Sequence, residues 1–320
     1  MNDNQQKKNT APLAMTVQTA RTKFPFMKLR FFFLALSTLF FSLSIFFITK
    51  HGFNFGVDFT GGVKLVYKFQ TPIGDDKLRS LIAPVGQGEA QIVRFGNGTE
   101  NSFLIKVRFQ EGRDISKEIT AELEKQLGAS EVTLLSEETV GPNVGADLRR
   151  RGIFAVALTM LLILVYIGWR FDFLFSPGAI VALIHDTAVA LGFFTFFHKE
   201  FNLPILAAVL TLIGYSNNDT IIIYDRVREN LKKLSSNIPL VDLIDISLNE
   251  TLSRTIVTHL TVLFAMVVLF VFGGGVIHDF AFFMIVGVVV GSYSSIFIAS
   301  PIYLALHKIF PTKGIVRSKK

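Results

Sequence analysis

The chain has 320 residues, half of them hydrophobic, with 33 phenylalanines, a mean hydropathy of +0.47 and a net charge of +7. That is too apolar for an ordinary soluble domain and points to an integral membrane protein. The lack of cysteine excludes a disulfide framework and a thiolate metal site. The basic residues gather beside apolar segments, which speaks for membrane orientation and against nucleic acid as a partner.

A polar tail (1–30) comes first, followed by the apolar stretch Phe31–Thr49. No A-x-A-like site follows that stretch, so it reads as a retained transmembrane helix (31–50) rather than a cleaved signal. A polar region (51–151) comes next. Val63–Gln70, Ala90–Phe95, Asn101–Phe109 and Glu131–Val140 carry strand patterning, and Gly96-Asn97-Gly98 supplies a hairpin turn. Asp75–Val85 and Asp114–Leu127 carry helical patterning, the second with an acidic start and Gly128 at its stop. The order βαββαβ is the ferredoxin-like arrangement, and a soluble α+β insert of no particular function fits it equally well.

Five further stretches can span a hydrocarbon core: Gly152–Trp169, Pro177–Phe197, Leu203–Tyr224, Thr255–Val276 and Phe280–Leu306. They form a bundle over 152–307, and a basic tail (308–320) closes the chain. The expected fold is a polytopic α-helical membrane protein with six transmembrane helices and a small α+β domain between helices one and two. Lys and Arg in the two tails and in the loop at Arg226–Lys233 place both termini in the cytoplasm. Arg149, Arg150 and Arg151 disagree with that rule, and a surface lead-in helix before the second span would accommodate them.

Asp219 stands out because a charge inside an apolar stretch is costly and is by default a functional hypothesis. It lies about 22 Å along a helix starting at Pro204, at ~1.5 Å per residue. Asn217, Asn218 and Thr220 make a polar cluster around it. Arg254, at the mouth of the next span, is the expected partner; an interfacial anchor is its bland reading. Protonation would neutralise the carboxylate and release the arginine. A structural polar knot is the bland reading of Asp219. Thr255, Thr258, His259 and Thr261 give the fifth span a polar inner half that could line the same cavity. Asp186 is a second buried ionisable residue, open to a structural hydrogen-bonding role or a relay role. Gly287 and Gly291 suit close helix packing. No P-loop, H-E-x-x-H or G-x-S-x-G string occurs, so nothing supports an enzyme, and no cofactor or metal is expected.

Three strings go beyond general membrane logic: FGVDFTGG (Phe55–Gly62), GYSNNDTIIIYDRVREN (Gly214–Asn230) and SLNETLSRT (Ser247–Thr255), with FGGG (Phe272–Gly275) after them. Together they resemble the SecF family of the bacterial protein-export machinery, within the resistance–nodulation–division superfamily. The resemblance spans almost the whole chain and implies a subunit that pairs with SecD beside the SecYEG channel in the inner membrane. There it would use the proton gradient, with protons as the coupling ion, to promote protein export. It implies exported preproteins and membrane lipids as further partners, with YajC and YidC as additional candidates. It makes Asp219 a proton-pathway residue and Arg254 its companion; Asn218 and Asp186 are added as further pathway candidates on residue chemistry, and the resemblance does not map Asp186 onto the pathway. Gly56, Asp58, Gly61 and Gly62 become a hinge or base of the outer domain. Asn217 stands where the family often has isoleucine. A superfamily-related exporter of small molecules or lipids, or a non-energised assembly scaffold, are the alternatives.

Overall fold

The computed structural model describes residues 24–88, 90–95, 101–171, 173–234 and 238–310. The turn expected at Gly96–Gly98 and most of both tails (1–23 and 311–320) lie outside the described residues.

After a 3-10 turn at Phe26–Lys28, the elements in chain order begin with α1 (Arg30–His51), β1 (Asn54–Phe55), α2 (Val57–Thr60), β2 (Gly62–Phe69) and α3 (Asp75–Ile82). β3 (Gln91–Phe95), β4 (Ser102–Arg108), α4 (Ile115–Leu127) and β5 (Val132–Val140) follow. Then come α5 (Pro142–Arg170), α6 (Ser176–Phe196), β6 (Glu200–Phe201), α7 (Leu203–Leu234) and α8 (Leu240–Phe272). The last helix starts as α9 (Gly275–Ser294), passes through a π-helical turn at Ser295–Ala299 and ends as α10 (Ser300–Ile309).

Among the described residues, six helical segments are long and apolar enough to cross a membrane: α1, α5, α6, α7, α8 and the combined Gly275–Ile309. Several reach beyond the expected spans. α5 starts at Pro142, so Arg149–Arg151 lie within one continuous helix rather than a separate surface segment. α8 starts at Leu240, well before Thr255. α6 and the last helix are the most enclosed, while α1, α5 and α8 expose apolar side chains such as Phe32, Leu162, Val165, Phe264 and Val271. Small residues let the enclosed helices approach closely: a side chain at Gly287 would run into Leu212, and one at Gly178 into Tyr224.

Between α1 and α5 lies a four-stranded antiparallel sheet in the order β3-β4-β2-β5, with α3 and α4 packed on one face. Alternation along β2 sends Val63, Leu65, Tyr67 and Phe69 into a core with Leu78, Ile82, Ile105, Ile119 and Leu123. Asp114 caps α4 by accepting from the Lys117 amide at 3.2 Å, and Gly128 ends it, as the sequence suggests. α3 stops at Ile82, where a 3-10 turn takes over through Val85.

Tyr67 sits in this core with its hydroxyl 2.7 Å from Thr120 Oγ1. Burial pushes its phenol up from 10.0 to about 12. A raised folded value means the contribution is complete below the unfolded value and fades as pH rises through the folded one. The domain is therefore expected to lose stability between pH 10 and about 12. Thermal unfolding of the sheet domain across that range in wild type and Tyr67→Phe checks this, because the variant should lack that component of the decline.

Candidate functional site

Two polar clusters lie inside the helical bundle, and a third set of charges joins the bundle to the sheet domain. The first cluster centres on Asp219 of α7, which is 2% exposed. The partner that the helices bring to it is His259 of α8, whose Nδ1 is 3.0 Å from Asp219 Oδ2. The same nitrogen is 2.9 Å from the Thr255 carbonyl oxygen, and its geometry favours that bond. Asp219 Oδ2 is left buried with no hydrogen bond among the described residues, as is Thr255 Oγ1. The Tyr215 ring meets the imidazole edge-on at 5.5 Å, and its hydroxyl donates to the Thr258 carbonyl at 3.0 Å.

The ion pair expected between Asp219 and Arg254 is not formed. Arg254 is exposed and lines an open cavity of about 410 Å³ between α5, α7 and α8, with Tyr166, Asp225, Glu229 and Glu250. It sits five residues before His259, about 7.5 Å lower on the helix at ~1.5 Å per residue. Asn218 is exposed on the outer side of α7, roughly 100° around the helix from Asp219, and does not join the cluster. Asn217 is buried.

The second cluster centres on Asp186 of α6, which is fully buried. Its Oδ2 accepts from Ser216 Oγ of α7 at 2.5 Å and from Ser294 Oγ of α9 at 2.7 Å. Its Oδ1 is 3.0 Å from His185 Nδ1. One carboxylate thus fixes three helices at one depth. One turn further on, Thr220 and Ser295 exchange a hydroxyl bond at 2.8 Å. Ser295 opens the π-helical turn, whose irregular pitch redirects carbonyls that Ser300 Oγ and Tyr224 OH then satisfy. Asp186 meets α7 at Ser216, one helical turn before Asp219 on neighbouring faces of the same helix.

At the domain end, Asp58 is buried in the short helix α2. Oδ1 pairs with Lys64 of β2, and Oδ2 accepts the Leu203 amide at 3.0 Å. Leu203 opens α7, so this carboxylate satisfies an orphan amide at the positive end of the helix that carries Asp219. Beside it, β1 and β6 form a short parallel pair, Gly56 donates to the Phe201 carbonyl at 2.9 Å, and Lys106 of β4 pairs with Glu200. Gly61 has a φ of +79° and lies against Pro142, with 2.8 Å from where its Cβ would sit to Pro142 Cα. Gly62 is similarly crowded by the Val107 carbonyl. The glycine string expected as a hinge is thus a tightly packed joint in this structure. At the far end of α7, Arg226 bonds Glu250 at 2.6 Å and Asn230 bonds Ser247 at 2.9 Å. Two of the three singled-out strings therefore meet there.

The sequence reading placed Asp219 and Asp186 in the bundle and flagged His259 as a lining residue. It missed Ser216, Lys64, Lys106 and Glu200. Ser216 could have been found from its position three residues before Asp219 on a helix, one turn away. The other three depend on contacts distant in sequence.

Residues 119–309 match the family described as protein export membrane protein SecD/SecF, C-terminal, and residues 46–73 match the SecD/SecF GG motif. The protein translocase subunit SecF of Desulfurispirillum indicum is 41% identical over 281 residues, covering 86% of this chain and 89% of that protein. The subunit of the same name from Thermodesulfovibrio yellowstonii is 42% identical over 292 residues, covering 90% and 96%. The crystal structure of SecDF, a translocon-associated membrane protein from Thermus thermophilus, superposes with a TM-score of 0.77 at 37% identity. That match covers 89% of this chain and 39% of the SecDF chain, so the chain spans well under half of that solved protein.

Proposed function

Because the chain belongs to the SecF family of auxiliary protein-translocase subunits, we propose that it works with a SecD partner to drive export across the inner membrane with the proton gradient. The observation that carries this is Asp219: a carboxylate sealed in the bundle, with an oxygen left without a hydrogen bond, on a helix whose other end is held by the outer domain. A proton arriving at Asp219 removes a buried charge. One elementary charge crossing 100 mV of membrane potential releases about 2.3 kcal/mol, enough to bias a two-state helix arrangement more than tenfold. α7 runs about 24 Å from Leu203 to Asp219 at ~1.5 Å per residue, so a shift of this rigid rod is felt at Asp58 and at the sheet domain.

SecD as partner is supported by the solved SecDF chain, of which this chain spans 39%, and by the exposed face of α7. Thr211, Gly214 and Asn218 lie exposed there, at helical spacing, between the apolar faces of α5 and α8. A polar asparagine facing hydrocarbon is costly, so this stripe suits a protein neighbour. Asn218 then belongs to the seam between subunits, and Arg254 lines the open cavity on the cytoplasmic side of Asp219. With both termini proposed to be cytoplasmic, the sheet domain would face the periplasm, and its strand order suits the ferredoxin-like class. The SecYEG channel, exported preproteins, lipids, YajC and YidC complete the proposed surroundings. Protons are the only coupling agent this reading requires.

Gradient-dependent export of a secreted protein, measured in membranes carrying Asp219→Asn, tests this reading. The expected outcome is loss of the gradient-dependent component with expression and SecD association intact. Wild-type gradient dependence would leave the scaffold reading in its place.

A further inference from the structure

One imidazole nitrogen faces two oxygens in the polar seam between α7 and α8. His259 Nδ1 is 2.9 Å from the Thr255 carbonyl oxygen and 3.0 Å from Asp219 Oδ2. Both side chains are buried. A neutral imidazole carries one proton, on one nitrogen. When that proton is on Nδ1 it serves Thr255, and Oδ2 goes without, as the structure shows. When it is on Nε2, a bare carboxylate oxygen and a bare nitrogen would confront each other in a site closed to water, which is costly. A proton between Oδ2 and Nδ1 removes that conflict. It can sit on the carboxyl and donate to the nitrogen, or sit on the nitrogen and donate to the carboxylate.

We propose that His259 is a second proton-holding residue of the coupling site, sharing with Asp219 the proton that drives export. In the step, the O–H bond at Oδ2 breaks and an N–H bond forms at Nδ1. Neutral acid and neutral imidazole become carboxylate and imidazolium, and the total charge does not change. The proton thereby leaves Asp219 without leaving the site. The titratable and charged groups around His259 are Asp219 and Tyr215 from α7 and Arg254 from its own helix. Tyr166 of α5 lines the cavity that Arg254 opens on, and Tyr293 of α9 is engaged with His185 of α6. Asp219 is therefore the one carboxylate within 4 Å of the imidazole among the described residues. The inference rests on Asp219 being the coupling carboxylate.

The test uses inverted membrane vesicles containing the full chain, its SecD partner and the translocase. Gradient-dependent export is measured across a range of lumenal pH for wild type, Asp219→Asn and His259→Gln. Glutamine keeps a donor for the Thr255 carbonyl but cannot take up a proton in this range. His259→Gln is expected to assemble, to keep part of the gradient-dependent rate, and to move the midpoint of its pH profile by about one unit or more. A wild-type profile in His259→Gln, with Asp219→Asn inactive, would overturn the role of His259 alone. A wild-type response in Asp219→Asn would overturn the reading beneath it. If His259→Gln fails to assemble, the nitrogen-15 shifts of His259 in the otherwise unaltered complex decide. An imidazolium that disappears in Asp219→Asn supports sharing, and a single neutral tautomer indifferent to Asp219→Asn overturns it.

Discussion

Asp186→Ala is expected to loosen the centre of the bundle by about 3 kcal/mol. The carboxylate takes two serine hydroxyls, from α7 and from α9, and leans on His185 within its own helix. Hydrogen bonds to a charged acceptor contribute roughly 1.5–3 kcal/mol each in water-soluble proteins. Interhelical bonds in bilayers average nearer 0.6 kcal/mol, because the separated helices find other partners. The estimate sits between these limits, since the deletion also opens a gap near Gly291, with Asp186 Oδ2 3.5 Å from where a Cβ at Gly291 would sit. Asp186→Asn keeps one oxygen for the serines and should lose about half as much. Thermal unfolding in detergent, with SecD association followed in parallel, measures both variants. Wild-type stability in Asp186→Ala would mean that the three-helix bond network is incidental.

Lys106→Met is expected to cost about 3–5 kcal/mol, at the joint between sheet and bundle rather than within either. Lys106 and Glu200 have side chains 10% and 8% exposed, so removing the lysine strands a buried carboxylate. The gain from the pair itself is small, because desolvating two charges offsets most of their attraction. The double variant Lys106→Met with Glu200→Leu should therefore recover most of the loss. Thermal unfolding of the two single variants and the double variant gives the coupling directly. Additive losses in the double variant would show that the pair does not act as a unit. The joint matters because Glu200 lies three residues before α7, beside the amide that Asp58 holds.

Much of the architecture was readable because it depends on local pattern. Runs of apolar residues gave the six spans, and period-two alternation gave the strands of the sheet within a residue or two. Asp114 and Gly128 marked the ends of α4 through capping chemistry that needs no tertiary context. Contacts fixed by helix phase and depth were not readable in the same way. Arg254 was matched with Asp219 on the premise that the fifth span starts at Thr255. With α8 continuous from Leu240, His259 is the residue at the depth of Asp219, and Arg254 sits more than a turn below. The β1–β6 pair escaped notice because two-residue strands have no periodicity and their partners lie about 145 positions apart. The π-helical turn escaped because Ser295–Ala299 reads as an ordinary apolar helix. The string around Asp58 was legible as special but not as a cap for α7, since the amide it accepts belongs to Leu203.

Proton movement through the assembled complex tests the central claim most directly. Proteoliposomes holding the chain with its SecD partner, an internal pH-sensitive dye and an imposed gradient report that movement. The wild-type complex is expected to carry protons inward, and Asp219→Asn, assembled to the same extent, is expected to fall to the level of protein-free liposomes. Proton flux in Asp219→Asn equal to wild type would contradict the assignment of the coupling carboxylate.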